Sequence, residues 1–178
     1  DNQPPDAESR MLNPIRYALA AIRNVGEAAM EAVVAEREAN GTFTDIFDFV
    51  SRTPHHALNK RGLEFLIKAG ALDSIHENRR QLFESLDALI AYGTLVQEEK
   101  NSDQESLFGD ASASGEQLNK PKLADVNDWP RMEKLSAEFD AIGFYLSGHP
   151  LSAYEAQLKK MRITNAADLP EKLTSQYA

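Results

Sequence analysis

Residues 19–30 read Leu-Ala-Ala-Ile-Arg-Asn-Val-Gly-Glu-Ala-Ala-Met, and this stretch decides the fold. Apolar residues recur at helical spacing up to Ile22, and a second helical series runs from Met30 to Arg37. Between the two series, Asn24-Val25-Gly26 interrupts the pattern. Asn40-Gly41 ends the second series, because Gly readily takes the left-handed conformation of a helix C-cap. The stretch therefore predicts two helices joined by a tight turn.

Such a turn is typical of a helix-hairpin-helix motif, in which Gly-x-Gly lets the backbone approach a phosphate. The free N–H groups at the start of the second helix then bind the phosphate oxygens. Asn24 stands in place of the first Gly, and Asn tolerates left-handed dihedral angles. The carboxylate of Glu27, at the start of the second helix, repels an anion at this position. Asn24, Val25 and Gly26 are candidate DNA contacts, but an ordinary helical hairpin fits the same residues at least as well.

Further helices are expected on both sides of a polar stretch, and no segment alternates like a strand. Thr44 is predicted to cap a short helix, Asn59 a helix that ends at Gly70, and Asn78 a longer one. The apolar face of the longer helix consists of Leu82, Phe83, Leu86, Leu89 and Ile90. Two C-terminal series follow: Met132, Leu135, Phe139 and Ile142, and then Leu151, Tyr154, Leu158 and Met161. The fold class is mainly α.

Residues 101–128 are rich in Ser, Asp, Asn, Gly and Gln, and bury too few apolar groups to offset their conformational entropy. The predicted organisation is an extended lead-in over 1–14, a domain of two tandem hairpins over 15–98, a flexible linker over 99–128, and a helical segment over 129–178.

A second hairpin is predicted around Gly70, within residues 52–80, where six basic and three acidic residues give a net charge of +3. The whole chain has a net charge of −9. On charge alone, a solvated helix face explains this basic island better than a nucleic-acid site. Gly70 itself equally fits a simple helix cap. The candidate DNA contacts of this region are Lys60, Arg61, Lys68, Gly70, Arg79 and Arg80.

The linker contains Gln104-Glu105-Ser106-Leu107-Phe108, whose two large apolar residues have few apolar neighbours. An exposed Leu-Phe pair in a polar segment indicates a partner. The pattern Gln-x-x-Leu-Phe resembles the peptide by which bacterial polymerases hold the ring-shaped sliding clamp. Gln104, Ser106, Leu107 and Phe108 are therefore the candidate clamp contacts. Packing of Leu107 and Phe108 back onto the domain is the alternative.

Several classes of protein and site are disfavoured by composition. The 178 residues include no Cys, which excludes disulfides and thiolate metal sites, and no stretch is long and apolar enough for a membrane span. The four His residues lack zinc-ligand spacing, and no phosphate loop or nucleophile motif occurs. A chain without an initiator Met, a catalytic motif or a signal peptide is expected to be a non-catalytic piece of a longer cytoplasmic protein.

Seven short blocks of the sequence follow one another in the order Pro4-Pro5-Asp6, Ile15 to Gly26, Asn59-Lys60-Arg61, Ile67 to Asp73, Asn78-Arg79-Arg80, Ser106-Leu107-Phe108-Gly109 and Ile142 to Leu151. Taken in this order, the blocks resemble the alpha-subunit family of bacterial DNA polymerase III. Asn24 departs from the Gly that this family usually has, and Glu8 departs from an Asn that often follows Pro-Pro-Asp-x.

The resemblance implies a segment of a DNA-directed DNA polymerase that works in chromosome replication. The catalytic palm would precede residue 1, and an oligonucleotide-binding barrel would begin near or after residue 178. The implied partners are duplex DNA behind the active site, the sliding clamp (beta subunit), and the remaining domains of the polymerase and its holoenzyme. No cofactor is expected in the segment. A stand-alone helix-hairpin-helix DNA-binding or scaffold protein and the error-prone polymerase paralogue are the alternatives.

Overall fold

The computed structural model describes residues 18–54, 59–105, 119–161 and 163, excepting the side chains of residues 101–105. Within this part the chain is helical and forms no strand, which confirms the mainly α fold class. Two short 3₁₀ helices cover Leu19–Ala21 and Pro150–Tyr154. The α-helices are α1 (Glu27–Asn40), α2 (Ile46–Arg52), α3 (Lys60–Lys68), α4 (Arg79–Glu84), α5 (Leu86–Glu105), α6 (Arg131–Ile142) and α7 (Glu155–Lys160).

The apolar core lies among α1 to α5, and its edge is closed by Ala141 of α6. Helix α5 packs closely along α2. A Cβ atom at Gly93 would stand 2.6 Å from the carbonyl oxygen of Val50, so only Gly permits this approach. The buried apolar residues of the core are Ile22, Val25, Ala29, Met30, Val33, Ile46, Phe49, Val50, Leu63, Phe65, Leu66, Ile67, Leu72, Leu82, Leu86, Leu89 and Ala141.

The predicted caps of α3 and α4 are confirmed, because the Asn59 and Asn78 side chains accept hydrogen bonds from backbone N–H groups in the first turns. The predicted cap of α2 is wrong by one residue. Asp45 is the N-cap and its side chain accepts from the Asp48 N–H, whereas the backbone N–H of Thr44 donates to Asp48 Oδ2. A carboxylate at the N-cap also interacts favourably with the helix dipole.

The single long helix predicted after Asn78 is divided at Ser85 into α4 and α5. The Ser85 N–H donates to the carbonyls of Gln81 and Leu82, while its side-chain oxygen accepts from the Ala124 N–H at 2.9 Å. The break therefore coincides with the point where a distant part of the chain binds.

The flexible linker predicted over residues 99–128 is corrected at both ends. Residues 99–105 continue α5. Residues 119–128 lie against the helices through backbone and side-chain hydrogen bonds. Gln81 Nε2 donates to the Ala124 carbonyl at 2.7 Å, and Asn78 Nδ2 donates to the Val126 carbonyl at 2.8 Å. Hydrogen bonds position this stretch together with Leu123, which packs against the core, and composition alone does not reveal these contacts. Residues 106–118 lie outside the described residues.

At the N-terminal side, the lead-in over 1–14 also lies outside the described residues. From Ala18 onward, the first predicted helix is represented by the 3₁₀ turn Leu19–Ala21, and Ala18 has extended dihedral angles (φ −71°, ψ 127°). Residues 164–178, near which a barrel is expected to begin, are likewise outside the described residues.

The apolar face predicted for α6 is only partly correct. Leu135 is buried and Ile142 packs against the core, but Met132 and Phe139 are exposed. Glu138, with 1% of its surface exposed, takes part in the buried face instead. Its Oε1 accepts hydrogen bonds from the backbone N–H groups of Leu146 and Ser147. The buried face of α6 thus contains the carboxylate of Glu138 instead of an apolar side chain, because the guanidinium of Arg79 lies opposite it.

Candidate nucleic-acid interface

The first hairpin turn has the backbone that a helix-hairpin-helix motif requires. Asn24 is left-handed, with φ 59°, and is the only non-Gly residue with positive φ in the described part of the chain. The Val25 N–H donates to the Ile22 carbonyl at 3.2 Å, and both side chains are buried in the core. Val25 therefore anchors the turn, and its side chain is not available to a ligand. Asn24 performs the role that a first Gly would have.

The start of α1 is open. Gly26 is the N-cap, with φ −80° and ψ 149°, and no side chain caps the first turn of the helix. A Cβ atom added at Gly26 would have no neighbour within 4 Å. The first N–H groups of a helix lack partners within it and lie at the positive end of the helix dipole, so an anion can bind there. Exposed Glu27 is the acidic residue of this first turn.

The C-terminal end of helix α6 contacts the residue that precedes this turn. The backbone N–H of Arg23 donates to the carbonyl of Ala141 at 3.0 Å. Its guanidinium lies 3.7 Å from Oδ1 of Asp140. The residue that directly precedes the turn is therefore held by the C-terminal end of α6.

The second turn differs from the first because its Gly is covered. Gly70 is left-handed, with φ 75°, as predicted for a helix end. Its N–H donates to the Ile67 carbonyl and the Ala71 N–H to the Leu66 carbonyl, each at 3.0 Å. A Cβ atom at Gly70 would stand 2.0 Å from NH2 of Arg79. The guanidinium thus occupies the space beside Gly70 where a side chain would stand, so this face of the residue is covered.

Arg79 is held within the domain by several contacts, which do not favour the predicted DNA contact; that contact stays a prediction. Its side chain is 9% exposed and makes a paired contact with Asp73, with Nε to Oδ1 at 2.8 Å and NH2 to Oδ2 at 2.6 Å. NH1 donates to the Lys68 carbonyl at 3.3 Å and lies 4.0 Å from Oε2 of Glu138. Burial is the largest single influence and opposes the charge, but hydrogen bonding to Asp73 together with the attraction of Asp73, Glu138 and Asp128 outweighs it and raises the pKa of Arg79.

The other basic candidates are mostly paired with carboxylates. Lys60 pairs with Asp87, and Arg80 Nε lies 2.7 Å from Glu84 Oε1. Only Arg61 of this group is exposed without an ion pair in the described part of the chain. Surface pairs of this kind are weak, so a phosphate can compete for Lys60 and Arg80. The positive charge of the island is nevertheless smaller than the sequence indicates.

Lys68 lies between the two hairpins. Its Nζ is 2.9 Å from Glu64 Oε1 and 3.1 Å from Asp140 Oδ2. Burial disfavours the ammonium ion, yet hydrogen bonds with Glu64 and Asp140 outweigh burial and raise the pKa of Lys68. Lys68 is therefore a permanent cation near neutral pH.

Two residues beside the first turn, Arg23 and Asp140, are absent from the sequence-derived candidates. Arg23 adjoins a candidate turn residue, and that adjacency is a signal that could have identified it. Asp140 is 72 positions from Lys68 in the chain, and no local pattern indicates that contact.

The candidate clamp peptide falls almost wholly outside the described residues. Gln104 lies in the last turn of α5, which ends at Glu105. The remaining candidates, Ser106, Leu107 and Phe108, are outside the described residues. The chain is described again from Asn119, and Lys120 Nζ lies 2.8 Å from Asp45 Oδ2. Both flanks of residues 106–118 are thus held by the same helical domain.

The described residues include no group of His, Asp and Glu that could hold a metal ion, and no helix there is long and apolar enough to cross a membrane. An apolar cavity of about 240 Å³ beside α1 has Arg37 as its only charged lining residue. His149 caps the second 3₁₀ helix, because its Nδ1 accepts from the Leu151 N–H at 3.1 Å.

Comparison with known proteins agrees with this geometry. A family model described as a helix-hairpin-helix motif matches residues 5–82. The chain is similar to DNA polymerase III subunit alpha of Caulobacter vibrioides, with 42% identity over 86% of the chain. The same protein of Neisseria meningitidis is 39% identical over 84% of the chain, and that of Rickettsia prowazekii 41% over 89%. The chain spans 13% of the length of each of these relatives.

Proposed function

Because the chain belongs to the DNA polymerase III alpha-subunit family, as one segment with a helix-hairpin-helix motif, we propose that it holds duplex DNA by its phosphates. The observation that carries the proposal is the open start of α1 at Gly26, beside the left-handed Asn24. Backbone N–H groups bind phosphate oxygens without contacting base edges, so the contact is independent of base sequence.

We extend the proposal to the whole protein of which this segment is a part. That protein copies DNA, and its catalytic residues lie outside this chain. The segment itself contributes no catalytic residue and acts in the cytoplasm on duplex that has already been copied. Similarity over 84–89% of the chain, well beyond residues 5–82, supports this assignment over a stand-alone helix-hairpin-helix protein.

Binding by the isolated chain is weak on this proposal. The net charge of −9 repels DNA, and Glu27 lies in the same turn as the free N–H groups. Arg61 is exposed and unpaired among the described residues, while Lys60 and Arg80 must first release their carboxylates. The polymerase as a whole supplies further contacts, so each one can be individually weak.

The test is an anisotropy titration of the wild-type chain against two labelled duplexes of equal length and unrelated sequence. The two dissociation constants should agree within about twofold. If basic side chains neutralise two phosphates, the affinity for duplex should fall roughly tenfold when the salt concentration rises from about 50 to about 200 mM, because condensed counterions are released on binding. A strong preference for one duplex, or binding that salt does not affect, contradicts phosphate-based contact.

We further propose that residues Gln104 to Phe108 bind the sliding clamp. The supporting observation is the position of the peptide, directly at the end of α5, in a segment whose two flanks are held on one domain. Leu107 and Phe108 would fill an apolar cleft of the clamp, with the Gln104 amide hydrogen-bonded at its rim. Tethering at this point keeps the DNA-holding turn and the clamp on the same duplex.

A further inference from the structure

Asp140 lies between the two hairpins and contacts a cation from each. Its Oδ2 is 3.1 Å from Nζ of Lys68, in the last turn of α3, and its Oδ1 is 3.7 Å from NH1 of Arg23, which precedes the first turn. Two cations that converge on one carboxylate form a site for an anion with several oxygens.

The fold fixes the position of this carboxylate. The next residue, Ala141, is fully buried, and its carbonyl accepts the N–H of Arg23. One turn earlier in the helix's buried face, Glu138 binds the backbone of Leu146 and Ser147 and faces Arg79. Asp140 is therefore presented to Arg23 and Lys68 by an anchored helix.

The contact is also accessible. The Asp140 side chain is 51% exposed and the Arg23 side chain 58%, so solvent reaches the ion pair between them. Such a pair is weak, and the carboxylate can rotate away without movement of α6. Lys68 is more deeply placed, at 18% exposure, and keeps Glu64 as a second partner. When the Asp140 carboxylate moves away, Lys68 is still neutralised by Glu64, and the site has one net positive charge from Arg23.

We propose that Arg23 and Lys68 form a second phosphate site of the DNA interface, and that Asp140 occupies this site in the free protein. The proposal rests on the proposed function, since it names a further contact of the same interface. A backbone phosphate displaces the carboxylate and binds beside the free N–H groups at Gly26. Asp140 therefore lowers the affinity for DNA, because its charge must be displaced before the phosphate binds.

The experiment compares Asp140→Asn with Glu155→Gln in the anisotropy titration. Both variants remove one negative charge that pairs with a cation, but Glu155 pairs with Lys159 on α7, which is not part of the interface. Asp140→Asn should bind duplex about threefold to tenfold more tightly than wild type. Glu155→Gln should bind within about twofold of wild type. Equal gains from the two variants overturn the proposal.

A second variant tests whether the gain in duplex affinity of Asp140→Asn arises at this site. Arg23→Gln in the Asp140→Asn background should abolish most of the gain, and the exposed guanidinium can be removed without leaving a buried group unpaired. Retention of the full gain overturns the proposal. These failures are distinguishable from failure of the proposed function, because wild type would still bind both duplexes with a steep salt dependence. If neither the wild type nor any variant binds duplex, the proposed function and the second phosphate site are both wrong.

Discussion

Replacing Leu107 and Phe108 together by alanine should weaken binding to a bacterial sliding clamp by about a hundredfold or more. Each large apolar side chain contributes roughly 1.5–3 kcal/mol when it is buried, and about 1.4 kcal/mol corresponds to a tenfold change in affinity. The cost of ordering the peptide offsets part of this gain, so the wild-type dissociation constant should be about micromolar. Calorimetric titration of both forms against purified clamp measures the difference.

Leu95→Ala is the matched control for this double variant, because Leu95 is an exposed apolar residue of the same helix that leads to the peptide. It should bind the clamp like wild type. Helical circular dichroism and duplex binding should be unchanged in every form. Equal heats from the wild type and the double variant would leave Leu107 and Phe108 as ordinary packing residues.

Glu138→Ala should lower the free energy of unfolding by about 1–3 kcal/mol, the usual effect of leaving hydrogen-bond donors without their buried acceptor. The substitution leaves the backbone N–H groups of Leu146 and Ser147 without their acceptor. It also removes one of the carboxylates that face the guanidinium of Arg79. Since α6 holds the first turn through Ala141 and Arg23, duplex binding should weaken as well.

Urea unfolding followed by circular dichroism measures this effect, with Glu133→Ala as the control. Glu133 lies on the same helix and is exposed, so its substitution should change stability by no more than about 0.5 kcal/mol. If the two variants have similar stability, the contacts of Glu138 contribute little, and the buried carboxylate does not anchor α6.

The parts of the fold that depend on local chemistry are predictable from the sequence. Asn59 and Asn78 cap their helices because their side chains bind N–H groups three residues ahead. Gly41 and Gly70 end helices with positive φ, since Gly has no Cβ to hinder that conformation. Asn24 also has positive φ, which Asn tolerates better than most residues, so the first hairpin turn is predictable from the sequence.

The parts that depend on distant partners are not predictable in this way. Arg79 has the appearance of a surface cation until Asp73 and Glu138 are placed beside it. Residues 119–128 have the composition of a linker, yet Gln81 and Ser85 hold them against the helices. In α6, the 3.6-residue period correctly indicated a helix, but a buried carboxylate shifted the inward face away from Met132 and Phe139. In each case polar contacts that no local pattern indicates decide the outcome.

The free N–H groups at the start of α1 are the central feature of the account, and Gly26→Asp tests them most directly. The new carboxylate caps the helix and occupies the groups that the phosphate needs. It should stabilise the fold by a few tenths of a kcal/mol, since Asp is a better N-cap than Gly. Duplex binding should weaken by about tenfold or more, because the DNA loses a contact and meets a new negative charge.

The measurement is duplex affinity by anisotropy, paired with urea unfolding of the same samples. Asn119→Asp adds an equal charge at an exposed position outside the turn and serves as the control. We expect Gly26→Asp to be at least as stable as wild type and to bind duplex far more weakly than Asn119→Asp does. A Gly26→Asp protein that folds normally and binds duplex as tightly as the control would contradict this expectation.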